Sequence, residues 1–600
     1  MATAVGALAH TEQHSGLWSW LTTVDHKRIG ALYGITGFCF FLLAGTEAVA
    51  IRTQLAVPNG TVLDADLFNQ FFTMHALTMI FLAIMPMGAA FFNYFIPLHI
   101  GARDVAFPRL NALSYWVFLS GALILTSSFL FGGAPDAGWF GYTPLSDRQY
   151  STGTGLDFYV VGLIVLGLSS LLASLNFAVT IINLRAPGMT MMRMPVYMWM
   201  ALVVSFLLIL SLPVLTVGLI ELLFDRMFGT NFFTPDTGGD PILWQHIFWI
   251  FGHPEVYVLI LPSMGIVSEV LPVMSRKPLF GYSAIVFAGA AIGVLGFGVW
   301  AHHMFTTGLG PVPQAVFSAS TMAIGVPTGI KVFNWLGTLY GGNIRFTTAT
   351  YFAVGFIALF TIGGISGVML GMIPIDIHVS DTYFVVAHIH YVLFGGATMG
   401  IFSGIYYWFP KMTGRFLNET LGKISFWTMF VGMNLTFFPM HFLGLAGMPR
   451  RIYTYDAGLG WDMWNLVASI GSYIIVLSVL VFLVNFFKSM RQPKTAPDNP
   501  WDGATLEWAT SSPPPEHDFD VIPPVHDRDA VWYMRDHNIA MPERPEHLHI
   551  HVPPPSYFPL VMGMGVALMA IGALSTFALT GLGVVVVIYS IWGWALEPTD

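Results

Sequence analysis

His75, His253, His302, His303, His388 and His390 all fall inside long apolar runs of this 600-residue chain. Imidazole nitrogens ligate copper and haem iron, and an ionisable side chain in an apolar span is costly enough to suggest function by default. Any one of these histidines alone is as readily a hydrogen-bonded core residue. Their spacing says more. His388 and His390 are two residues apart, so on a helix turning about 100° per residue their side chains diverge by about 200°. Such a pair serves two cofactors on opposite sides better than it chelates one metal. His253 and Tyr257, at i and i+4, share a helix face. Adjacent His302 and His303 cannot both face one point from a regular helix, so a break is expected there, and the TTGLGP that follows supplies the breakers. His246 and His441 read as structural. His547, His549 and His551 alternate at strand spacing in a polar stretch and read as part of a solvated linker.

A second set of residues could move protons. Glu255 lies two positions past His253, and a carboxyl in apolar surroundings can hold or release a proton near neutrality. Lys331 lies in a span with no obvious partner within a turn, which suits a proton carrier better than an anchor. Asp104 lies in the loop GARDVAFPRLN, flanked by Asn93 and Asn111, while Ser169, Ser170 and Asn176 follow one another along a single span. Together they form polar stations at staged depths. Asp104 could instead pair with Arg103 or Arg109, and polar residues in a span can simply join helices.

The elements that must position these residues follow from composition. The chain is 55% hydrophobic, 15% aromatic and only 10% charged, against about 25% charged in soluble domains. It cannot cover a water-facing surface and reads as an all-α polytopic membrane protein. Apolar runs of about 20 residues cross a bilayer. They lie near 28–51, 71–98, 111–131, 157–184, 196–224, 243–273, 282–303, 314–341, 349–372, 381–409, 421–446 and 464–488. The expected organisation is a core over 1–490, a Pro- and His-rich cytoplasmic linker over 491–555 and a tight transmembrane hairpin over 556–600. No residue of the hairpin suggests chemistry. The N-terminal MATAVGALAHTEQHSG lacks the basic stretch of a cleavable signal.

Basic residues crowd one set of loops, which includes Lys27, Arg28, Arg103, Arg109, Arg185, Arg193, Arg276, Lys277 and Arg345. The other set holds only Arg52, Arg148, Arg226, Arg450 and Arg451. By the positive-inside rule the N-terminus is cytoplasmic. All six span histidines then fall in the outer third of the membrane, a convergence of depth that isolated core residues would not need. The net charge of −9 says little about partners, because charges in such a protein concentrate in loops and tails, and no basic run suggests nucleic acid. Cys39 is the single cysteine, so a disulfide framework or a Cys-based metal site within the chain is excluded.

The motifs HPEVY (253–257), WAHHMFTTG (300–308), VPTGIKVFNW (326–335), DTYFVVAHIHYVLFGG (381–396) and GMPRR (447–451) resemble subunit I of the A-type haem–copper oxidase family. The likeness runs from about residue 20 to residue 490. It implies a twelve-helix core that reduces O2 to water and pumps protons in a bacterial plasma membrane. It also implies that His253, His302 and His303 bind copper (CuB), that His388 is axial to the high-spin haem, and that His75 and His390 hold the low-spin haem, the two being haems a3 and a. Tyr257 resembles the family's tyrosine covalently joined to a copper ligand, here His253. Asp104 to Glu255, through Asn93, Asn111, Ser169, Ser170 and Asn176, resembles the D pathway, and Thr328, Lys331 and Tyr257 the K pathway. Arg450 and Arg451 are expected at haem propionates, Arg52 at a haem formyl group, and Trp139, Tyr142 and Trp249 near the haems and the oxygen site.

Two positions depart from the family pattern. Ser380 stands where a magnesium-binding histidine is usual, leaving Asp381 for that ion. Phe305 stands where many relatives have Tyr. With no cysteine pair for a dinuclear copper centre, electrons must enter from a subunit II that carries one, with subunit III and others as further partners. The positions aligned with the arginine and histidine of quinol-oxidising relatives are Leu43 and Leu67, which favours cytochrome c as donor over quinol. A transporter or haem carrier would need neither a copper site nor Tyr257, and a nitric oxide reductase would not need the Asp104 series.

Overall fold

The computed structural model describes residues 16–542, 550 and 553–597. The last three linker histidines considered above, His547, His549 and His551, lie outside the described residues. Among those described, helices are joined by loops, and the one β contact is an isolated bridge between Thr382 and Pro449.

We number the main helices α1 His26–Gln54, α2 Ala65–Ile100, α3 Pro108–Leu130, α4 Gly155–Asn183, α5 Val196–Phe228, α6 Pro241–Ser275, α7 Tyr282–Phe297 and α8 Pro311–Leu339. There follow α9 Thr348–Gly371, α10 Tyr383–Thr413, α11 Glu419–Leu445, α12 Asp462–Met490, α13 Phe558–Leu574 and α14 Phe577–Leu596. Side-chain caps start several of them. Asp25, Asp64, Asp240 and Asn418 each accept a hydrogen bond from a first-turn N–H, satisfying donors that a helix leaves open. Asp64 explains why α2 begins at Ala65, some residues ahead of its apolar run.

Two helices depart from regular geometry close to His75 and His390. In α2 a π-helical segment, Thr78–Ile84, begins three residues after His75. In α10 another, Leu393–Thr398, begins three residues after His390. Such segments cluster at functional sites. The seventh span is shorter than its apolar run. α7 ends at Phe297 and Trp300–Met304 forms a separate 3₁₀ turn, the break that the adjacent histidines require.

Most sequential helices pack side by side, though α2 and α3 do not. α2 and α6 are the most enclosed spans, 78% and 83% buried, whereas α14 is only 11% buried and lies at the rim. α6 and α10 approach closely at Gly400, where a Cβ would lie 2.3 Å from the Ser263 Cβ. Small residues of this kind let spans approach backbone to backbone. α13 and α14 pack on each other, and α13 lies against α3 and α4. Gly563 fits beside Trp116, and Glu597 reaches 3.4 Å from Arg109.

The segment after α12 crosses the end of the bundle that carries the basic loops, called here the basic end. Asp518 is buried there, 2.9 Å from His26 and 2.8 Å from Lys27. Lys411 donates to the Thr510 carbonyl at 2.7 Å. Glu507 is fully buried beside Trp408 and His99. Gly188 marks a close approach, since its φ is +83° and a Cβ there would lie 2.3 Å from the Val525 oxygen. Gly188→Ala is expected to cost about 1–3 kcal/mol through overpacking and to loosen this segment. Faster limited proteolysis within 505–530 than in the unaltered protein would register it; equal rates would refute it.

Candidate metal and haem centre

α6, the turn after α7 and α10 bring the histidines together at the end opposite the basic loops. Nitrogens of His253, His302 and His303 all lie within 4.8 Å of one another. His302 Nε2 is 3.1 Å from His303 Nε2, which is 3.4 Å from His253 Nδ1. Metal–imidazole bonds of about 2 Å place ligand nitrogens at such separations. The rings are held from behind. Thr321 Oγ1 lies 2.9 Å from His302 Nδ1, and Trp249 stacks on His303 at 3.8 Å between ring centres. Trp249 in turn donates its indole N–H to the Tyr142 hydroxyl. Trp139 meets Trp249 edge-on at 5.8 Å. Tyr257 lies against His253 with ring centres 4.6 Å apart, and His253 Nε2 is buried with no hydrogen-bond partner in the fold.

His75 and His390 face each other from α2 and α10. Their rings are nearly parallel, 6° apart, with centres separated by 6.3 Å. That interval holds one metal atom between two nitrogens at about 2 Å each. Each Nδ1 is tied to a backbone carbonyl, Ala44 at 2.9 Å and Val386 at 2.8 Å, which leaves each Nε2 as the ring nitrogen open to a metal. Phe437 stacks on His390. His388 is fixed in the same way, with Nδ1 2.9 Å from the Gly363 carbonyl. Gly367 lies under its ring, where a Cβ would come 2.8 Å from Cε1. These hydrogen bonds to the distal ring nitrogen set tautomer and orientation, as partners behind metal ligands do. His390 and His388 thus address different sites from one helix.

Polar groups with no partner in the fold lie around these rings. Arg52 donates through Nη2 to Asn465 and Ser469, while its Nε and Nη1 are buried and unpartnered. Arg451 Nε is likewise buried without an acceptor. Buried guanidinium donors demand acceptors, and haem oxygen substituents supply them. The donor set therefore fits two haems and one copper. Arg450 Nε lies 3.0 Å from Asp381 and Arg451 Nη2 3.9 Å from it. Asp381, with φ of 55°, sits at the tight corner where the Thr382–Pro449 bridge joins the two loops. Burial, followed by the neighbouring Arg450 charge, brings the Arg451 guanidinium down to about 10. His246 accepts from the Trp300 indole at 3.2 Å and His441 contacts the Phe438 carbonyl. Neither joins the ligand set.

A polar series leads from the basic end towards these rings. Burial raises the Asp104 carboxyl to about 7, against the pull of His26 and of a hydrogen bond from Val105. Asn176 holds the adjoining loop by its bonds to both backbone groups of Phe107. The Asn93 side-chain oxygen and both amide atoms of Asn111 are buried without partners. Ser169 donates to the Ser114 carbonyl at 2.6 Å, and Ser170 to that of Leu166. Tyr33 donates to Ser114 Oγ at 3.0 Å. A cavity of ≈ 60 Å³ borders Tyr33, Ser169, Ser170 and Pro262, space for about two waters. Beyond it, Glu255 is fully buried, both carboxyl oxygens unpartnered. Tyr33 and Ser114 were not identified from sequence, since a hydroxyl in a span carries no signal without its neighbours. Elsewhere, Thr328 donates to the Ile324 carbonyl and Lys331 contacts Met200 Sδ at 3.0 Å.

A family profile described as Cytochrome C and Quinol oxidase polypeptide I matches residues 28–474. The chain is 52% identical over 563 residues to cytochrome c oxidase subunit 1 of Bacillus subtilis (strain 168), covering 93% of this chain and 90% of that one. It is similarly 52% identical to the subunit of the same name from Bacillus sp. (strain PS3), covering 93% and 90%. Quinol oxidase subunit 1 of Bacillus subtilis (strain 168) is 44% identical, covering 94% and 88%. A solved heme-copper terminal oxidase shares the fold at a TM-score of 0.64 with 17% identity, covering 78% of this chain and 84% of that one.

Proposed function

The chain belongs to the cytochrome c and quinol oxidase polypeptide I family, the haem–copper oxidases, and on that premise we propose that it is the catalytic subunit of a proton-pumping cytochrome c oxidase. The carrying observation is the convergence of the His253, His302 and His303 nitrogens beside Tyr257. His75 and His390 would hold the low-spin haem, His388 the high-spin haem and the three clustered histidines the copper. Bound there, these groups store electrons and supply the O2-reducing chemistry, in which O2, four electrons and four protons yield two waters.

The chain's own residues supply position and protons. Tyr257 lies where a phenol can give a proton and an electron beside the copper ligands, and the free His253 Nε2 is the atom available for a covalent link to it. Protons entering at Asp104 pass the amides of Asn93 and Asn111, then Tyr33, Ser169 and Ser170, with Asn176 shaping the loop, to Glu255. Thr328 and Lys331 serve a second route toward Tyr257. Arg52 would hold the formyl oxygen of a haem a, and Arg451, with Arg450, the propionates. The magnesium expectation rests on Asp381 alone, and that carboxylate is already engaged by the arginines.

Twelve long apolar helices among the described residues make this a multi-pass membrane protein, and we place its N-terminus and the basic end in the cytoplasm of a bacterium. Electrons would arrive from cytochrome c through a copper-bearing subunit II, with subunit III and lipid around the bundle. Leu43 and Leu67 favour that donor, and so does the closer identity to relatives named for cytochrome c than to one named for quinol. The purified complex is expected to oxidise reduced cytochrome c much faster than a quinol. The reverse order would make it a quinol oxidase, and iron without copper in this subunit would end the oxidase reading.

A further inference from the structure

Lys331 is fully buried and its amine meets the Met200 sulfur at 3.0 Å. Among the described residues no carboxylate lies within ion-pair distance of it. A buried amine without a counter-charge can carry protons only if another group delivers them. Met200 stands one turn into α5 from Tyr197, whose backbone N–H donates to the Glu269 carboxylate of α6 at 3.0 Å. One helical turn rises about 5 Å, so the Glu269 head group lies about a turn nearer the basic end than the Met200 position.

Neighbouring helices close around that line. Gly265, one turn from Glu269 on α6, packs where a Cβ would lie 2.6 Å from the Tyr197 ring and 3.3 Å from Met200 Cβ. Gly289 of α7 closes another side, with a Cβ there 2.3 Å from Met200 Cε and 3.2 Å from Lys331 Nζ. Trp335, one turn beyond Lys331 on α8, donates to Ser268 Oγ at 2.9 Å, beside Glu269. The Tyr197 hydroxyl is buried without a partner. Glu269 retains 9% exposure, and the charges of Arg528 and Asp529 in the C-terminal segment act on it. It is a carboxyl on the basic-end side of Met200.

We propose that Glu269 loads protons onto Lys331, an assignment that rests on Lys331 being a proton carrier. The Glu269 carboxylic acid gives its proton to the neutral amine, leaving a carboxylate and an ammonium, and water at the basic end reprotonates the carboxylate. The competing role is structural, a carboxylate capping the first turn of α5. Glu269→Gln separates the two, because the amide oxygen still accepts from Tyr197 but the side chain carries no exchangeable acid proton.

The test uses the whole purified complex and follows anaerobic reduction of the oxygen-site haem by stopped-flow absorbance, with Lys331→Met alongside. Glu269→Gln is expected to slow that step on the order of 10²-fold while low-spin haem reduction and both haem spectra stay unchanged. Glu269→Asp is expected to recover most of the rate. Reduction-induced infrared difference spectra of the unaltered protein should show a carboxyl C=O band that Glu269→Gln removes. A normal rate in Glu269→Gln with a slow Lys331→Met would leave Glu269 as a cap and overturn the assignment. Normal rates in both would instead overturn the proton role of Lys331. If Glu269→Gln does not assemble, Glu269→Asp must shift the infrared band, and an unshifted band overturns the assignment.

Discussion

Exchanging Glu255 for Gln is expected to cut steady-state O2 reduction by on the order of 10²-fold or more and to stop proton pumping, with both haems still bound. Gln matches Glu in size, so packing around α6 is preserved. Neither carboxyl oxygen of Glu255 has a partner in the fold, so the substitution breaks no hydrogen bond that stabilises the helix. What it removes is the titratable proton at the far end of the proposed route from Asp104. Proton release from vesicles holding the complex, read with a pH-indicating dye during cytochrome c oxidation, measures the loss. An unaltered reduced-minus-oxidised spectrum shows that the haems remain. Full turnover in Glu255→Gln would remove it from the route, and Tyr33, Ser169 and the cavity between them would need another destination.

His302→Ala is expected to remove copper from the subunit while leaving two haems per chain. Three nitrogens within 4.8 Å of one another are placed to share one ion, and deleting one of the three leaves an incomplete set. Partners behind a ligand are typically worth 10–100-fold in metal affinity, and loss of the ligand itself should exceed that. Thr321→Val provides the graded comparison, since its hydroxyl only steadies His302 Nδ1 at 2.9 Å. It should weaken copper retention by about tenfold. Copper-to-iron ratios after dialysis against a chelator measure both. Copper retained in His302→Ala at the unaltered ratio would exclude His302 from the ligand set.

The membrane spans were legible because length and hydropathy report them directly, and the clustering of the histidines because depth and spacing constrain them. His388 and His390 diverge on one helix as their two-residue separation requires, and His302–His303 sit on the expected break. Features made by partners distant in sequence were not legible. Asp518 meets His26 across 492 residues, and the composition of SSPPPEHDF says nothing of where it docks. Tyr33 and Ser114 become part of a polar line only once α1, α3 and α4 are side by side. The pairing of Asp381 with Arg450 likewise depends on a corner formed by two loops. Residue roles beyond geometry rested on the family likeness, because a nitrogen's direction does not name its metal.

The π segments after His75 and His390 have a consequence for how the helices keep time. A π turn takes in one residue more than the surrounding α-helix, so each segment shifts the angular phase of everything beyond it by about 100°. The histidine-bearing stretch of α2 and α10 is therefore clocked separately from the stretch below, where Asn93 on α2 and Tyr407 on α10 face their own neighbours. Deleting a single residue from Thr78–Ile84 would restore an unbroken α-helix and turn His75 away from His390 by over a quarter of a revolution. These two helices hold an imidazole pair parallel to within 6° and still pack a differently shaped lower half, because each contains a built-in change of register.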